Sequence, residues 1–371
     1  MTITRLVFAG EAIVDLVMRV PGLPPRGGDL LASSSSVEVG GGFNVMAAAA
    51  RQGMRVDYAG GHGTGPYGSL VRAALAAEGI GILRPADGAA DTGFDVALVE
   101  PDGERTFVSS LGAETHPGGW PAVRAAAGDA VYVSGYGLVP PDAGLSEWAA
   151  ALAPGVLLFA DPGPLVADIP ADVLERVLAR CDWWSCNRRE AGLLTGSDDP
   201  VRAAGLLLGR TGRAGVIVRT GPDGCVLGLP DGNVVPVPAP AVEVADTTGA
   251  GDTHAGVFLA GLAAGLAPAD AARRANAAAA LAVTRHGPAT APGRGELDEF
   301  LARGTSTGHE LRTRQRPEHV TRAARHRGRR SAGAPVGVPR RVTRARRASG
   351  TPRSSPGLRY CPLVGRLRET R

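Results

Sequence analysis

The 371-residue chain predicts an α/β fold: a three-layer α/β/α sandwich with a mostly parallel central sheet and a small β lid. Three observations carry this. Short apolar runs rich in β-branched residues alternate with longer helix-like runs across residues 1–300, the pattern of a parallel sheet covered on both faces. A second set of extended segments breaks the alternation, two of them flanking the hairpin signal Pro101-Asp102-Gly103. Glycine-rich bends precede helices, and in open sheets of this kind ligands sit beyond the carboxyl ends of the strands.

In chain order, residues 6–9 predict a first buried strand. The segment before it turns polar too soon for a secretory signal peptide. Residues 16–20 and 29–39 read as extended, around a Pro/Gly-rich bend. Helices are predicted over 44–52 and 70–78. Residues 94–99 and 105–109 predict the arms of the hairpin. Strands at 130–134, 156–160, 183–185 and 216–219 alternate with helices at 171–181 and 201–210, and helices at 253–265 and 269–284 close the body. The off-pattern segments, about 12–39 and 92–110, form a small projecting sheet, read as a lid over a substrate cleft.

Composition narrows the function. All 40 basic residues are arginine, so no phosphate loop built on lysine, such as GxxxxGK[ST], is present. No apolar run is long enough to span a bilayer. Cys181, Cys186, Cys225 and Cys361 show no metal-binding spacing, and a reducing cytoplasm is expected. Residues 1–303 carry 22 arginines against 33 acids, and residues 304–371 carry 18 against 3. The body, 1–303, is therefore an acidic folded domain. The Arg-, Ser-, Gly- and Pro-rich tail, 304–371, is expected to be disordered. Arginine runs bind nucleic acid electrostatically, but no aromatic interleaving or folded reader accompanies these, and nucleic acid is not expected as a partner.

The segment carrying most chemistry is Asp246-Thr247-Thr248-Gly249-Ala250-Gly251-Asp252, just before a helix. Small residues let backbone pass close to a ligand. A bend entering a helix N-terminus gathers free N–H groups beside the positive end of the dipole, a cradle for phosphate. Asp252 can accept the proton of a hydroxyl attacking that phosphate. Upstream, Gly40-Gly41-Gly42-Phe43-Asn44 opens a helix, and Asp15 can accept hydrogen bonds from hydroxyls. Later come Asn187-Arg188-Arg189-Glu190, Arg219-Thr220-Gly221-Pro222-Asp223-Gly224 and Arg274-Ala275-Asn276.

Taken in order, these motifs resemble the ribokinase-like (PfkB) family of carbohydrate and nucleoside kinases over residues 1–300. Residues 246–252 match its DTxGAGD signature, residues 40–44 with Gly53 and Gly63 its N-terminal signature, and residues 187–190 its NxxE motif. The resemblance implies transfer of the ATP γ-phosphoryl to a hydroxyl of a small sugar. Asp252 is then the general base, and the amides of Gly249, Ala250 and Gly251 form the anion hole. Asp15, Gly40, Gly41 and Asn44 bind the sugar. Asn187, Glu190, Arg219, Thr220, Gly221, Gly224 and Asn276 serve the nucleotide, with Glu190 reaching Mg²⁺ through water. Asp246, Thr248 and Gly287 match a monovalent-cation site, making K⁺ a candidate cofactor. Relatives with such a lid often dimerise through it.

The sequence departs from this pattern where Arg219 stands in place of a frequent Thr, and where the Gly63–Gly68 loop lacks a usual Asp. The acceptor stays open between a ribose- or fructose-like sugar, a nucleoside, and a sugar phosphate served by Arg19, Arg26 and Arg105. Two other classes compete: a nucleotide-dependent oxidoreductase, which Gly10-Glu11-Ala12 after the first strand serves poorly, and a nucleic-acid-associated protein using the arginine tail.

Overall fold

The first strand shows how the chain sorts its side chains. In β1 (Arg5–Ala9), Leu6 and Phe8 enter one apolar layer and Val7 and Ala9 the other, all fully buried. Successive residues of a strand point to opposite faces, so a strand apolar on both must have both covered. In the computed structural model, which describes residues 2–115, 120–139, 144–211 and 215–313, that covering is complete.

The body follows in order: β2 (Ala12–Arg19), β3 (Ser34–Gly41), α1 (Phe43–Arg51), β4 (Arg55–Tyr58), α2 (Pro66–Ala77), β5 (Gly81–Ile82), β6 (Phe94–Val99), β7 (Arg105–Ser110), β8 (Asp129–Ser134), α3 (Leu145–Ala150), β9 (Leu157–Asp161), α4 (Ala171–Arg180), β10 (Trp183–Asn187), α5 (Arg188–Thr195), α6 (Pro200–Thr211), β11 (Gly215–Arg219), β12 (Cys225–Gly228), β13 (Val234–Val237), α7 (Ala250–Ala263), α8 (Pro268–Ala282) and α9 (Arg294–Thr313). Nine strands form one sheet in the order β13-β12-β11-β10-β9-β8-β1-β4-β5. All its pairings are parallel except β11–β12 and β12–β13, which form an antiparallel edge. Helices α1, α7 and α8 cover one face, and α3, α4 and α6 the other.

The lid is a separate four-stranded sheet, β3-β2-β6-β7. Its hairpin strands lie where the turn signal put them. The other pair extends farther toward the body than expected: β2 begins at Ala12 and β3 runs to Gly41, so the glycine triplet is partly strand. The bend between them takes residues 20–33, because Pro21, Pro24 and Pro25 cannot donate to a ladder.

Helix α9 continues to Thr313, ten residues past the expected boundary at 303. The composition change at 303 follows the last apolar anchors, Leu297, Phe300 and Leu301, and helical backbone bonding runs on beyond them. The rest of the arginine-rich tail lies outside the described residues. Everything described falls within the compact unit Met1–Arg316.

Candidate active site

A cavity of about 410 Å³ opens at the carboxyl ends of β1, β8, β9 and β11. Strand order reverses there: the chain leaves β1 toward β4 on one side, and β8 lies on the other. Such a switch point leaves a crevice between diverging connections. The central sheet contributes Ser134, Asp161 and Arg219, the connector from β1 to the lid contributes Glu11, the lid contributes Asp15, Asp95 and Phe107, and the α7 entry contributes Thr248, Gly249 and Asp252.

Asp252 lies in the first turn of α7, partly open to this cavity. Its Oδ2 accepts a hydrogen bond from Asn44 Nδ2 at 3.1 Å, although 208 positions separate the two residues. Asn44 is itself oriented by backbone: its Oδ1 accepts from the Ala289 N–H at 2.8 Å, which turns the amide nitrogen toward Asp252. Ala289 holds the one left-handed non-glycine conformation among the described residues, φ 51°. Its N–H bonds Asn44 and its carbonyl accepts from Arg51, so partners on both sides hold the strained backbone. Burial pushes the Asp252 carboxyl up, Asn44 pulls it down, Asp161 raises it and Arg219 lowers it, for a net value of about 6. That keeps Asp252 ionised at neutral pH while bringing it nearer the pH at which a general base works best.

Gly249 caps α7 with φ 68°, and a Cβ there would lie 3.3 Å from Asn44 Nδ2. Only glycine combines that turn with that approach. Of the three amides expected to line an anion hole, that of Ala250 is turned back into the bend, donating to the Thr247 carbonyl at 3.3 Å. The Gly251 amide enters the first helical turn, where N–H groups lack an intrahelical partner.

The lid supplies carboxylates in a row. Cross-strand register sets Asp15 opposite Glu38 on one side and Asp95 on the other. Like charges directly opposed on a sheet repel. Burial first, then Asp95, Glu38 and Asp252, raise Asp15 to about 7, and burial raises Asp95 to about 6. Each side chain is only 8% exposed, and among the described residues neither Oδ1 has a hydrogen-bond partner. Gly40 makes room for this arrangement: a Cβ there would sit 2.1 Å from Asp15 Oδ2. Gly40 therefore seats Asp15 rather than lining the cavity, whereas Gly41 lines it. Glu11, which accepts from Ser134 Oγ at 2.5 Å, is likewise raised to about 7, chiefly by burial.

Arg219 closes the opposite wall. Its guanidinium donates to Asp161 at 2.5 Å and to the Ser185 hydroxyl, and lies 3.8 Å from Glu190. It also packs beneath Gly251, where a Cβ would come within 3.4 Å of its Nε. The lysine-free chain thus places an arginine under the helix entry, partly neutralised by Asp161 and Glu190. Asn187 and Glu190 form a reciprocal cap on α5: Asn187 Oδ1 accepts from Glu190 N–H at 2.9 Å, and Glu190 accepts from Asn187 N–H at 2.7 Å and Nδ2 at 2.6 Å. Each Glu190 oxygen accepts one bond in this cap. Among the described residues no group of three or more His, Cys, Asp or Glu side chains is poised to cage a metal.

The remaining nucleotide candidates gather at the antiparallel edge, next to Arg219 along the chain. Thr220 precedes the turn Gly221–Asp223, and Gly221 and Gly224 have φ 68° and 98°. Asn276 donates to the Val237 carbonyl at 2.8 Å and the Pro238 carbonyl at 3.3 Å, tying α8 to the end of β13. Asp246 and Thr248 meet in the bend, and the Gly287 N–H donates to Asp246 Oδ2 at 3.2 Å.

Sequence reasoning missed Glu11, Asp95, Asp161 and Ser185. A signal for Asp161 existed: it ends a buried strand on the side where ligands bind. Asp95 is the polar break in the alternation of Phe94–Val99. The Gly63–Gly68 loop that lacks its own Asp borrows Asp91, which accepts from the Tyr67 and Gly68 N–H groups at 3.0 and 2.9 Å. His254 is buried against Phe258 and lowered to about 3 by burial, so it packs as a neutral ring. Cys181, Cys186 and Cys225 are buried free thiols.

Comparison with known proteins identifies the family. The family model described as pfkB family carbohydrate kinase matches residues 3–293. The chain is 38% identical over 301 residues to the uncharacterized sugar kinase YegV of Escherichia coli K12, covering 79% of this chain and 92% of that protein. It is 31% identical over 281 residues to a fructokinase of Klebsiella pneumoniae, covering 71% and 84%. A solved ribokinase from Thermotoga maritima aligns with a TM-score of 0.69 at 25% identity, over 81% of this chain and 99% of that one. The ribokinase of Arabidopsis thaliana, solved with ribose and ATP, shares the fold at a TM-score of 0.68 and 24% identity, over the same shares. The chain belongs to the pfkB family of carbohydrate kinases, phosphotransferases with an alcohol group as acceptor.

Proposed function

We propose that this kinase transfers the γ-phosphoryl group of ATP to a hydroxyl of a small, unphosphorylated sugar, with Asp252 as general base. The observation that carries this reading is the Asn44-held Asp252 carboxylate facing the same cavity as the lid carboxylates Asp15 and Asp95. Two buried carboxylate oxygens without donors favour a ligand rich in hydroxyls, because leaving them unmet costs about 1–3 kcal/mol or more each.

The wall charges argue against a phosphorylated acceptor. Arg219 faces the transfer point and is the only cation among the described cavity residues, whereas Glu11, Asp15, Asp95 and Glu114 surround the acceptor end. The arginines considered for a sugar phosphate lie elsewhere: Arg105 is paired with Asp246, Arg19 is turned toward His286, and Arg26 is exposed in the 20–33 bend.

Asp252 takes the hydroxyl proton as oxygen attacks phosphorus. Asn44 holds the carboxylate in place, and one amide hydrogen remains for a sugar oxygen. The amides of Gly249, Ala250 and Gly251, with the α7 dipole and Arg219, stabilise charge on the transferring group. For Ala250 this exchanges a long bond to Thr247 for one to phosphate. Glu190, beside Asn187, would hold a Mg²⁺ ion through water, and that ion would supply charge neutralisation at the phosphates. The base and ribose of ATP extend toward Thr220, Gly221, Gly224 and the loop that Asn276 anchors.

Phe107, Trp120 and Tyr136 also line the cavity and give an aromatic surface suited to a nucleobase, which favours a nucleoside as the second acceptor reading. A second copy would cover the outward lid face, where Val37 and Val108 are 59% and 65% exposed, so a lid-mediated homodimer is expected in light scattering. Use of ATP favours a cytoplasmic location. Separately, no described helix is long and apolar enough to cross a membrane.

ADP release with Mg-ATP across ribose, fructose, their phosphates and adenosine tests the reading. Turnover on a free sugar supports it. Turnover confined to a sugar phosphate or to adenosine would replace the acceptor, and no acceptor-dependent ADP anywhere would remove it.

A further inference from the structure

The bend that feeds the α7 N-terminus is clamped through Asp246. Its Oδ1 accepts from the Thr248 N–H at 2.8 Å and from the Thr248 hydroxyl at 2.7 Å, while Oδ2 accepts the Gly287 N–H. A further partner comes from the lid. Arg105, the first residue of β7, donates its Nη2 to the same Oδ1, and its Nη1 lies 3.5 Å from Thr247 Oγ1. The pair is largely out of water, with side chains 17% and 8% exposed. Asp246, Thr248 and Gly287 are the residues whose match implied a bound monovalent cation. In this chain they do not fit one: Asp246 Oδ1 already receives two hydrogen bonds and a guanidinium, so a fixed positive charge stands at the carboxylate a metal ion would need.

We propose that Arg105 replaces the monovalent cation, as a positioning residue that fixes the 246–249 bend and so sets where the Gly249–Gly251 amides meet the transferring phosphoryl group. The proposal rests on the kinase reading above. A guanidinium suits the task because it is always ionised, and its planar fork can engage Asp246 and Thr247 together, which a spherical ion cannot do with the same directionality. The charge arrives on the lid. Asp15 and Asp95, two of the acceptor-side carboxylates, stand in the same sheet as Arg105, so lid and phosphoryl-side bend are joined by one ion pair. The other arginine lining the smaller cavity between them, Arg19, is turned to His286 Nδ1 at 3.4 Å and does not compete for Asp246.

The test compares KCl with tetramethylammonium chloride at equal ionic strength, for wild type, Arg105→Ala and Arg105→Lys. Two readouts are taken: the thermal unfolding midpoint without substrate, and kcat on the best acceptor. The wild type is expected to be indifferent to K⁺ in both. Arg105→Ala is expected to lose about tenfold in kcat in tetramethylammonium and recover most of it in K⁺. Its midpoint should rise by about 2 °C or more with K⁺, as binding to the folded state requires. Arg105→Lys should retain the indifference. A bridge that only fastens the lid would weaken in Arg105→Ala without any preference for K⁺, and that result overturns the proposal. So does a wild type activated or selectively stabilised by K⁺, which needs no variant to observe. The unfolding measurements need no acceptor, so they decide the role of Arg105 even if no sugar is phosphorylated.

Discussion

The two sheets of this protein are built on opposite terms. The inner strands of the nine-stranded sheet are buried on both faces, with side chains such as Leu6, Phe8, Leu158 and Val216 at no exposure. The lid sheet sets Asp15 between two other carboxylates, leaves buried oxygens without donors, and exposes Val37 and Val108. A sequence selected only for stability would not keep three acids abreast on a small sheet. Local conflicts of this kind mark surfaces shaped for a ligand or a partner. The body supplies stability, and the lid spends some of it.

Substitutions in the two sheets should therefore differ in size and in sign. Leu158→Ala, in the middle of the body, should cost about 2–5 kcal/mol, read as a lower denaturant midpoint at unchanged slope. Asp15→Asn should do the reverse. The folded Asp15 carboxyl sits near 7, above its unfolded value, so its contribution to stability is fully present below the unfolded value near 4 and is lost as pH rises through 7. The variant should thus gain several degrees in unfolding midpoint over wild type at pH 8, and clearly less at pH 5, while its sugar KM rises about tenfold. Comparing the two proteins at each pH cancels the opposing contribution of His254, whose lowered value favours the folded state above its unfolded value and not below it. An equal gain at both pH values would mean that the carboxylate row is not strained by charge. Smallest, Val108→Ser on the outer lid face should change monomer stability by less than about 0.5 kcal/mol. If the lid joins two copies, the same change should raise the dimer dissociation constant by tenfold or more; unchanged self-association would leave Val108 outside any interface.

pH separates the chemistry as well. Asp252 must be ionised to accept a proton, and its value near 6 sets the direction: kcat should fall as pH drops below about 6 and level off above 7. A kcat rising into acid would assign the titration to another group.

Much of this plan was legible in the sequence, for reasons particular to its parts. The alternation of apolar runs fixes strands such as Gly215–Arg219 and Asp129–Ser134 to within a residue, because buried parallel strands have few ways to be written. Residues 246–252 were readable as one unit because the bend into α7 is local: glycine at 249, the helix entry and Asp252 are contiguous. Asp95 and Ser185 were not picked out as site residues, and Arg105 was read only as a candidate for a sugar phosphate, because their roles depend on register and on partners far along the chain. Asp95 matters through its place opposite Asp15, and Arg105 through Asp246, 141 positions away. Arg219 was placed on the nucleotide side from its motif, yet its partners Asp161 and Ser185 appear only once β9, β10 and β11 lie side by side. The short α3 and the two edge strands β12 and β13 carry too little periodicity to stand out from loop.

The most direct test is a single-turnover, rapid-quench measurement of phosphoryl transfer to the preferred sugar by Asp252→Asn at saturating Mg-ATP. Asparagine keeps the shape and can still meet Asn44 but cannot take the proton. The transfer rate should fall by about 10²–10⁴-fold while sugar and ATP still bind with near-wild-type affinity. Transfer at close to the wild-type rate would contradict Asp252 as the base, and with it the assignment of this cavity as the place of reaction.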